Sequence, residues 1–235
     1  MLYYIKGTVM SNELDDSFIT HLKQRVPLIL ACMGMLSMSG CSVPKPTVDA
    51  SSAIRSLHAR HYQQAIKEFT VLLDACPDSV RWRQLRGFAF DELGQYEAGI
   101  ADYSIVLNCL PTDVRCLSNR GYALYQINRL GEAVTDYDRA LELDPTFLPA
   151  RSNRALVLVA LARYPQALAD IERAIAEGDT ANSTLYNLQG YCLLQLNRPA
   201  PAIIAFDKAI ALDAAYIDAL NNREAAYRLL ARIGK

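Results

Sequence analysis

Apolar and polar positions recur along most of the chain at a fixed interval of 34 residues. The stretch "YEAGIADYSIVLNCLP", residues 96–111, returns as "LGEAVTDYDRALELDP" at 130–145. Aligned on that interval, blocks run over 46–79, 80–113, 114–147, 148–182 and 183–216, with a tail from Ile217. The eighth position holds Ala53, Gly87, Gly121, Ala155 and Gly190, and the twentieth Ala65, Gly99, Ala133, Ala167 and Ala202. The twenty-fourth holds Phe69, Tyr103, Tyr137, Ile171 and Phe206. Pro77, Pro111 and Pro145 close three blocks, replaced by Asp179 and Ala214 in the others. Repetition at such a period predicts a stack of small units, none of which can bury its apolar face alone.

These positions resemble the tetratricopeptide repeat, a helix–turn–helix unit of 34 residues, and the resemblance covers residues 46 to 235. It implies an all-α fold, a right-handed α-solenoid of five such repeats over 49–235, ending in a capping helix over 217–235. Sterics agree: two antiparallel helices approach closely only where one offers Gly or Ala and the other a large side chain. Pro165, Pro199 and Pro201 fall at the starts of second helices, where a missing N–H costs little. The extra residue of the fourth block sits in the turn-like "EGDTANS". In the tail, Glu224 takes the small eighth position beside Arg223, Arg228, Arg232 and Lys235, as expected of a solvated cap. At the other end, Asp49 and Ser52 replace bulky residues, so the first helix is expected to fray.

The first 41 residues have another character. Lys23 and Arg25 precede "VPLILACMGMLSMSGC", whose apolar part is shorter than the roughly 20 residues that cross a bilayer. A signal-peptide core is the better reading. "MSGC" resembles the lipobox of bacterial lipoproteins, which implies cleavage after Gly40 and lipidation of Cys41. Met38 departs from the usual Leu, and Glu13, Asp15 and Asp16 make the leading segment long and acidic; a start codon assigned upstream would account for the latter. Ser42 after the cysteine implies retention at the periplasmic face of the outer membrane, with an inner-membrane anchor or a cytoplasmic, unprocessed chain as alternatives. Residues 42–48 then form a short tether stiffened by proline.

Composition narrows the chemistry. A net charge of −1 and a pI near 6.3 give no basic face, so nucleic acid is not an expected ligand. Three histidines, His21, His58 and His61, leave little for acid–base or metal chemistry, and no nucleotide, hydrolase or zinc-protease motif is present. No metal or cofactor is expected, and the reading is not an enzyme. Asp102, Asp136 and Asp170 recur at the twenty-third position and read as exposed helix charges; Trp82 reads as packing. Cys109 and Cys116 flank "LPTDVR" and could pair if their Cα atoms lay within about 7 Å, free thiols being the alternative.

The resemblance places function on the concave face, at the second, fifth, ninth and twelfth positions of the first helices. Those positions hold Arg81 and Arg115; Gln84, Ser118, Ser152 and Asn187; Phe88, Tyr122, Leu156 and Tyr191; and Tyr125 and Leu194. An apolar–aromatic strip edged by polar groups suits an extended peptide or helix of a partner protein. Chaperone-binding repeats hold a C-terminal carboxylate with Lys and Asn at the fifth and ninth positions, a pattern this chain lacks. By analogy with repeat-built bacterial lipoproteins, the pilotins of type IV pili and the assembly lipoproteins of tight-adherence (Flp) pili, the expected partner is a secretin or pilus component. An adaptor for periplasmic peptidoglycan hydrolases or proteases, and a cytoplasmic secretion chaperone, are the other expectations.

Overall fold

The computed structural model describes residues 2–5, 8–11 and 49–233. The apolar run, Cys41 and the tether expected over 42–48 lie outside the described residues. Strand β1 (Leu2–Ile5) pairs antiparallel with β2 (Thr8–Ser11), Leu2 opposite Ser11 and Ile5 opposite Thr8. The sequence reading did not anticipate this hairpin, which lies upstream of the solenoid.

From residue 49 onward the described residues form helical hairpins. The first repeat pairs α1 (Ala50–His58) with α2 (Tyr62–Ala75), and the second α3 (Val80–Glu92) with α4 (Tyr96–Cys109). The third pairs α5 (Val114–Gln126) with α6 (Leu130–Leu143), and the fourth α7 (Leu148–Ala160) with α8 (Tyr164–Ala176). The fifth pairs α9 (Ser183–Gln195) with α10 (Pro199–Leu212), and α11 (Ile217–Ile233) follows. Each helix packs on its chain neighbours.

Local chemistry sets the boundaries. The side chains of Asp49, Ser79, Asp113 and Asn182 accept backbone N–H groups at the starts of α1, α3, α5 and α9. Within each hairpin the turn passes through one left-handed residue at the fifteenth position: Arg60, Gly94, Asn128, Ala162 or Asn197. Backbone N–H groups just past the helix fold back onto its last turn there, as Arg129 N donates to Leu124 O at 2.8 Å. Gly178, at φ 117°, accommodates the extra residue between α8 and α9.

Packing follows the periodic positions. A Cβ on Gly87 would lie 2.8 Å from Tyr103 Cε1, one on Gly121 2.9 Å from Tyr137 Cζ, and one on Gly190 2.5 Å from Phe206 Cε1. The eighth position therefore meets the ring of the twenty-fourth, and Tyr103, Tyr137, Phe69, Phe206 and Ile171 are all fully buried. The first helix is formed rather than frayed. Asp49 caps it, and Ser52 and Ser56 donate to the Glu68 carboxylate at 3.0 and 2.7 Å. It is shorter than its counterparts, 9 residues against 13 in α3.

The recurrent aspartates are not exposed charges. Asp102, Asp136 and Asp170 are buried, each in the fork of an arginine from the seventh position of the same repeat. Arg120 Nε and Nη2 each donate to one Asp136 oxygen at 2.7 Å, and Arg86 and Arg154 repeat this geometry. The remaining guanidinium nitrogen reaches the preceding repeat: Arg86 to Thr70, Arg120 to Ser104 and Arg154 to Asp138. The same step recurs where α11 meets the fifth repeat, Arg223 donating to Asp207 at 2.8 Å. A carboxylate can be buried here because both its oxygens are satisfied by a planar fork. These forks tie the second, third and fourth hairpins each to the one before it; the fifth has Gln189 at the seventh position.

Candidate functional site: the wall of first helices

Successive first helices approach one another directly, α3 with α5, α5 with α7 and α7 with α9, in addition to their contacts with second helices. That layer is the inner wall of the solenoid. The backbone of β1 lies against α5 and α7, near the middle of that wall.

Three of the expected wall residues belong instead to the joints between repeats. Gln84 Nε2 donates to Asp113 Oδ2 at 2.5 Å, and Ser152 Oγ to Asp179 Oδ2 at 3.0 Å. Asn187 donates to the Tyr216 hydroxyl at 3.3 Å and accepts from Asn222 at 3.1 Å. Ser118 is also buried. A polar side chain at the fifth position sits where the next hairpin begins, so the turn residues there consume its hydrogen bonds. Little of the expected polar edge is left to offer a ligand.

Among the ninth-position rings, Phe88 and Tyr122 are buried, while Tyr191 and Leu156 keep partial exposure. Tyr122 stands edge-on to Tyr96, ring centres 6.3 Å apart, and Tyr191 edge-on to Tyr164 at 6.1 Å. In both pairs the second ring comes from the seventeenth position of the preceding repeat. Tyr62 occupies that position in the first repeat and hydrogen-bonds Glu92; burial, and then that carboxylate, push its phenol up to about 12. The sequence reading missed these tyrosines, although Tyr62, Tyr96 and Tyr164 share one index in the alignment. The wall therefore carries aromatic pairs bridging repeats, each worth about 1 kcal/mol beyond its buried area.

Arg115 is exposed; Arg81, Tyr125 and Leu194 are half-buried. With half-buried Leu156 and Tyr191, these are the wall residues that keep accessible surface: aliphatic and aromatic groups along the helices, with Arg81 and Arg115 at the starts of α3 and α5. Asp91, at the twelfth position beside Tyr125 in the alignment, is buried and turns into the hairpin rather than onto the wall.

The described cysteines are all free, Cys109 exposed and Cys116 buried, so of the two alternatives for this pair the structure has free thiols. The Cys116 thiol lies 3.6 Å from the Tyr103 carbonyl inside the hairpin joint. Burial pushes the Cys192 thiol up to about 12 and raises Cys116 as well, so neither is a thiolate near neutral pH.

Comparison with known proteins matches this geometry. Residues 114–147 match a model of the tetratricopeptide repeat, and residues 152–217 match a second model with the same description. No curated protein matches. Among solved structures, one of MamA superposes with a TM-score of 0.64 at 18% identity, covering 71% of this chain and 96% of that one. MamA from Desulfovibrio magneticus RS-1, residue 41 to its end, gives 0.65 at 15% identity over 71% and 93%. YrrB, described as a TPR protein with an unusual peptide-binding site, gives 0.63 at 17% identity over 74% and 89%. The described helices thus have the fold of a tetratricopeptide-repeat solenoid, and the repeat itself is matched over residues 114–147 and 152–217.

Proposed function

We propose that this protein is a non-catalytic scaffold that holds an extended segment or helix of a partner protein on its wall of first helices. One observation carries the reading: Gln84, Ser152 and Asn187 at the fifth position are used up in the joints, while Leu156, Tyr191 and Leu194 on α7 and α9 keep accessible surface and Arg115 is exposed at the start of α5. Such a surface binds by apolar area and aromatic anchors, with an arginine to set direction on a carboxylate or carbonyl. YrrB supports it as a structure of the same fold with a peptide-binding site.

The sequence around Cys41 adds the location: a lipid-anchored protein at the periplasmic face of the outer membrane, assisting assembly of a pilus, secretion system or other envelope complex. Cleavage after Gly40 would also remove the β1–β2 hairpin, which lies against α5 and α7, and clear the middle of the wall. Recruitment of peptidoglycan hydrolases by the same surface is the second reading, and a cytoplasmic chaperone with an intact leader the third.

Two measurements test this. Radiolabelled palmitate is incorporated by the wild type and not by Cys41→Ala; equal labelling of both removes the anchor. Crosslinking in native envelopes captures a partner that is lost when Arg115→Ala and Tyr191→Ala are combined, with the unfolding midpoint little changed. Undiminished capture by that variant assigns binding to another surface.

A further inference from the structure

The cap is less polar than its sequence suggests. Helix α11 buries only Ala219 and Ala226 fully, against α9 and α10. Ile217 is 68% exposed, Tyr227 51%, Ile233 53% and Leu230 39%. Along one side of the helix, Ile217, Leu220, Glu224, Tyr227 and Ala231 follow one another at spacings of three and four residues. They occupy about 80° of arc at 3.6 residues per turn. Such spacing is the seam of a two-helix coiled coil. Arg228, just beside the seam, donates to Glu224 at 2.5 Å.

The seam cannot take a second helix of the kind that completes a repeat. That helix sets a large side chain against the eighth position, where every repeat has Gly or Ala and α11 has Glu224. A Glu there holds such a ring away. A helix meeting the seam knobs-into-holes does not need that close approach.

We propose that a second copy of this chain covers the seam, α11 against α11, antiparallel about a two-fold axis midway between Ala225 and Ala226. In that register Leu220 meets Ala231 of the second copy, a large side chain against a small one. Glu224 meets Tyr227 of the second copy, whose hydroxyl donates to the carboxylate, and Arg228 of the second copy stands one position away. The charges are therefore complementary to themselves under the two-fold axis. A parallel pairing sets Glu224 against Glu224 and is repulsive. A single helix pair about 25 Å long lies at the small end of specific interfaces, so association is expected in the micromolar range.

Sedimentation equilibrium on the full chain carrying Cys41→Ser, from about 1 to about 200 µM, tests this. The expected result is a reversible dimer that Tyr227→Lys weakens at least about tenfold. Tyr227 is half exposed, so the variant keeps its fold, checked by its circular dichroism and unfolding midpoint. Glu224→Arg and Arg228→Glu each weaken the dimer, and the double exchange restores it. A monomer throughout the range overturns the proposal, as does a dimer indifferent to Tyr227→Lys. A complex with a different protein that Tyr227→Lys abolishes, with no dimer seen, also overturns it. Failure of the double exchange to restore the dimer overturns the antiparallel register.

Discussion

The phenol of Tyr103 donates to the Asp91 carboxyl at 2.7 Å inside the second repeat, with both side chains withdrawn from solvent. Tyr137 holds the equivalent place one repeat later, and its buried hydroxyl has no hydrogen-bond partner, because Tyr125 stands where the aspartate would be. The two phenols should therefore respond oppositely to loss of their oxygen. Tyr103→Phe leaves the Asp91 carboxyl, whose Oδ1 is already unpartnered, without its donor, at a cost of about 1–3 kcal/mol. Tyr137→Phe removes an unsatisfied group and is expected to be neutral or slightly stabilising. Urea unfolding midpoints of the two variants decide it.

The same aspartate makes stability depend on pH. Burial raises its carboxyl well above the usual range, against the Tyr103 hydrogen bond, which lowers it. Because the folded state holds the proton more tightly than the unfolded one, this contribution is complete below about pH 4 and lost as pH rises through the raised value. Asp91→Asn cannot ionise. Its unfolding midpoint, measured against wild type, should gain as pH climbs from about 4 toward neutrality. A pH-independent difference would contradict the assignment.

Arg120 holds Asp136 in a two-pronged fork and reaches Ser104 in the preceding repeat. Arg120→Ala strands a buried carboxylate and should cost about 3 kcal/mol. Arg120→Lys should recover little of that, since an ammonium cannot bond both oxygens and the hydroxyl in one plane. Thermal unfolding of the pair checks this, and full rescue by lysine would mean that charge alone matters.

Glycine exchanges should run in opposite directions at two sites. Gly190→Ala drives a methyl to 2.5 Å from the Phe206 ring and should cost about 1–3 kcal/mol by overpacking. Ala162 sits at φ 56°, where a Cβ is strained, so Ala162→Gly should stabilise by about 1 kcal/mol. Denaturation midpoints of the two variants read both signs.

The repeat architecture was legible because steric constraints recur: Gly87, Gly121 and Gly190 against Tyr103, Tyr137 and Phe206 mark the crossing of each hairpin at one index. Position along a helix does not reveal which charges are buried. Asp136 read as solvated because its partner Arg120 lies 16 residues away on the other helix, a distance only the hairpin closes. The polar wall residues failed for a related reason. Gln84 and Ser152 face the correct side, but the start of the next hairpin comes within hydrogen-bond reach of them. Left-handed turns carried a signal in Gly94, Asn128 and Asn197 and none in Arg60 or Ala162. On the cap, charged residues drew attention away from the apolar seam that runs between them.

Site-specific photocrosslinking from inside and outside the solenoid is the most direct test that the inner wall grips a partner. A photoreactive residue placed at Leu156 or Tyr191 should trap a single protein partner in native envelopes, whereas one at Ala101 or Thr135, exposed on second helices, should trap none. Capture from the second-helix positions alone, or equally from both faces, would contradict the account.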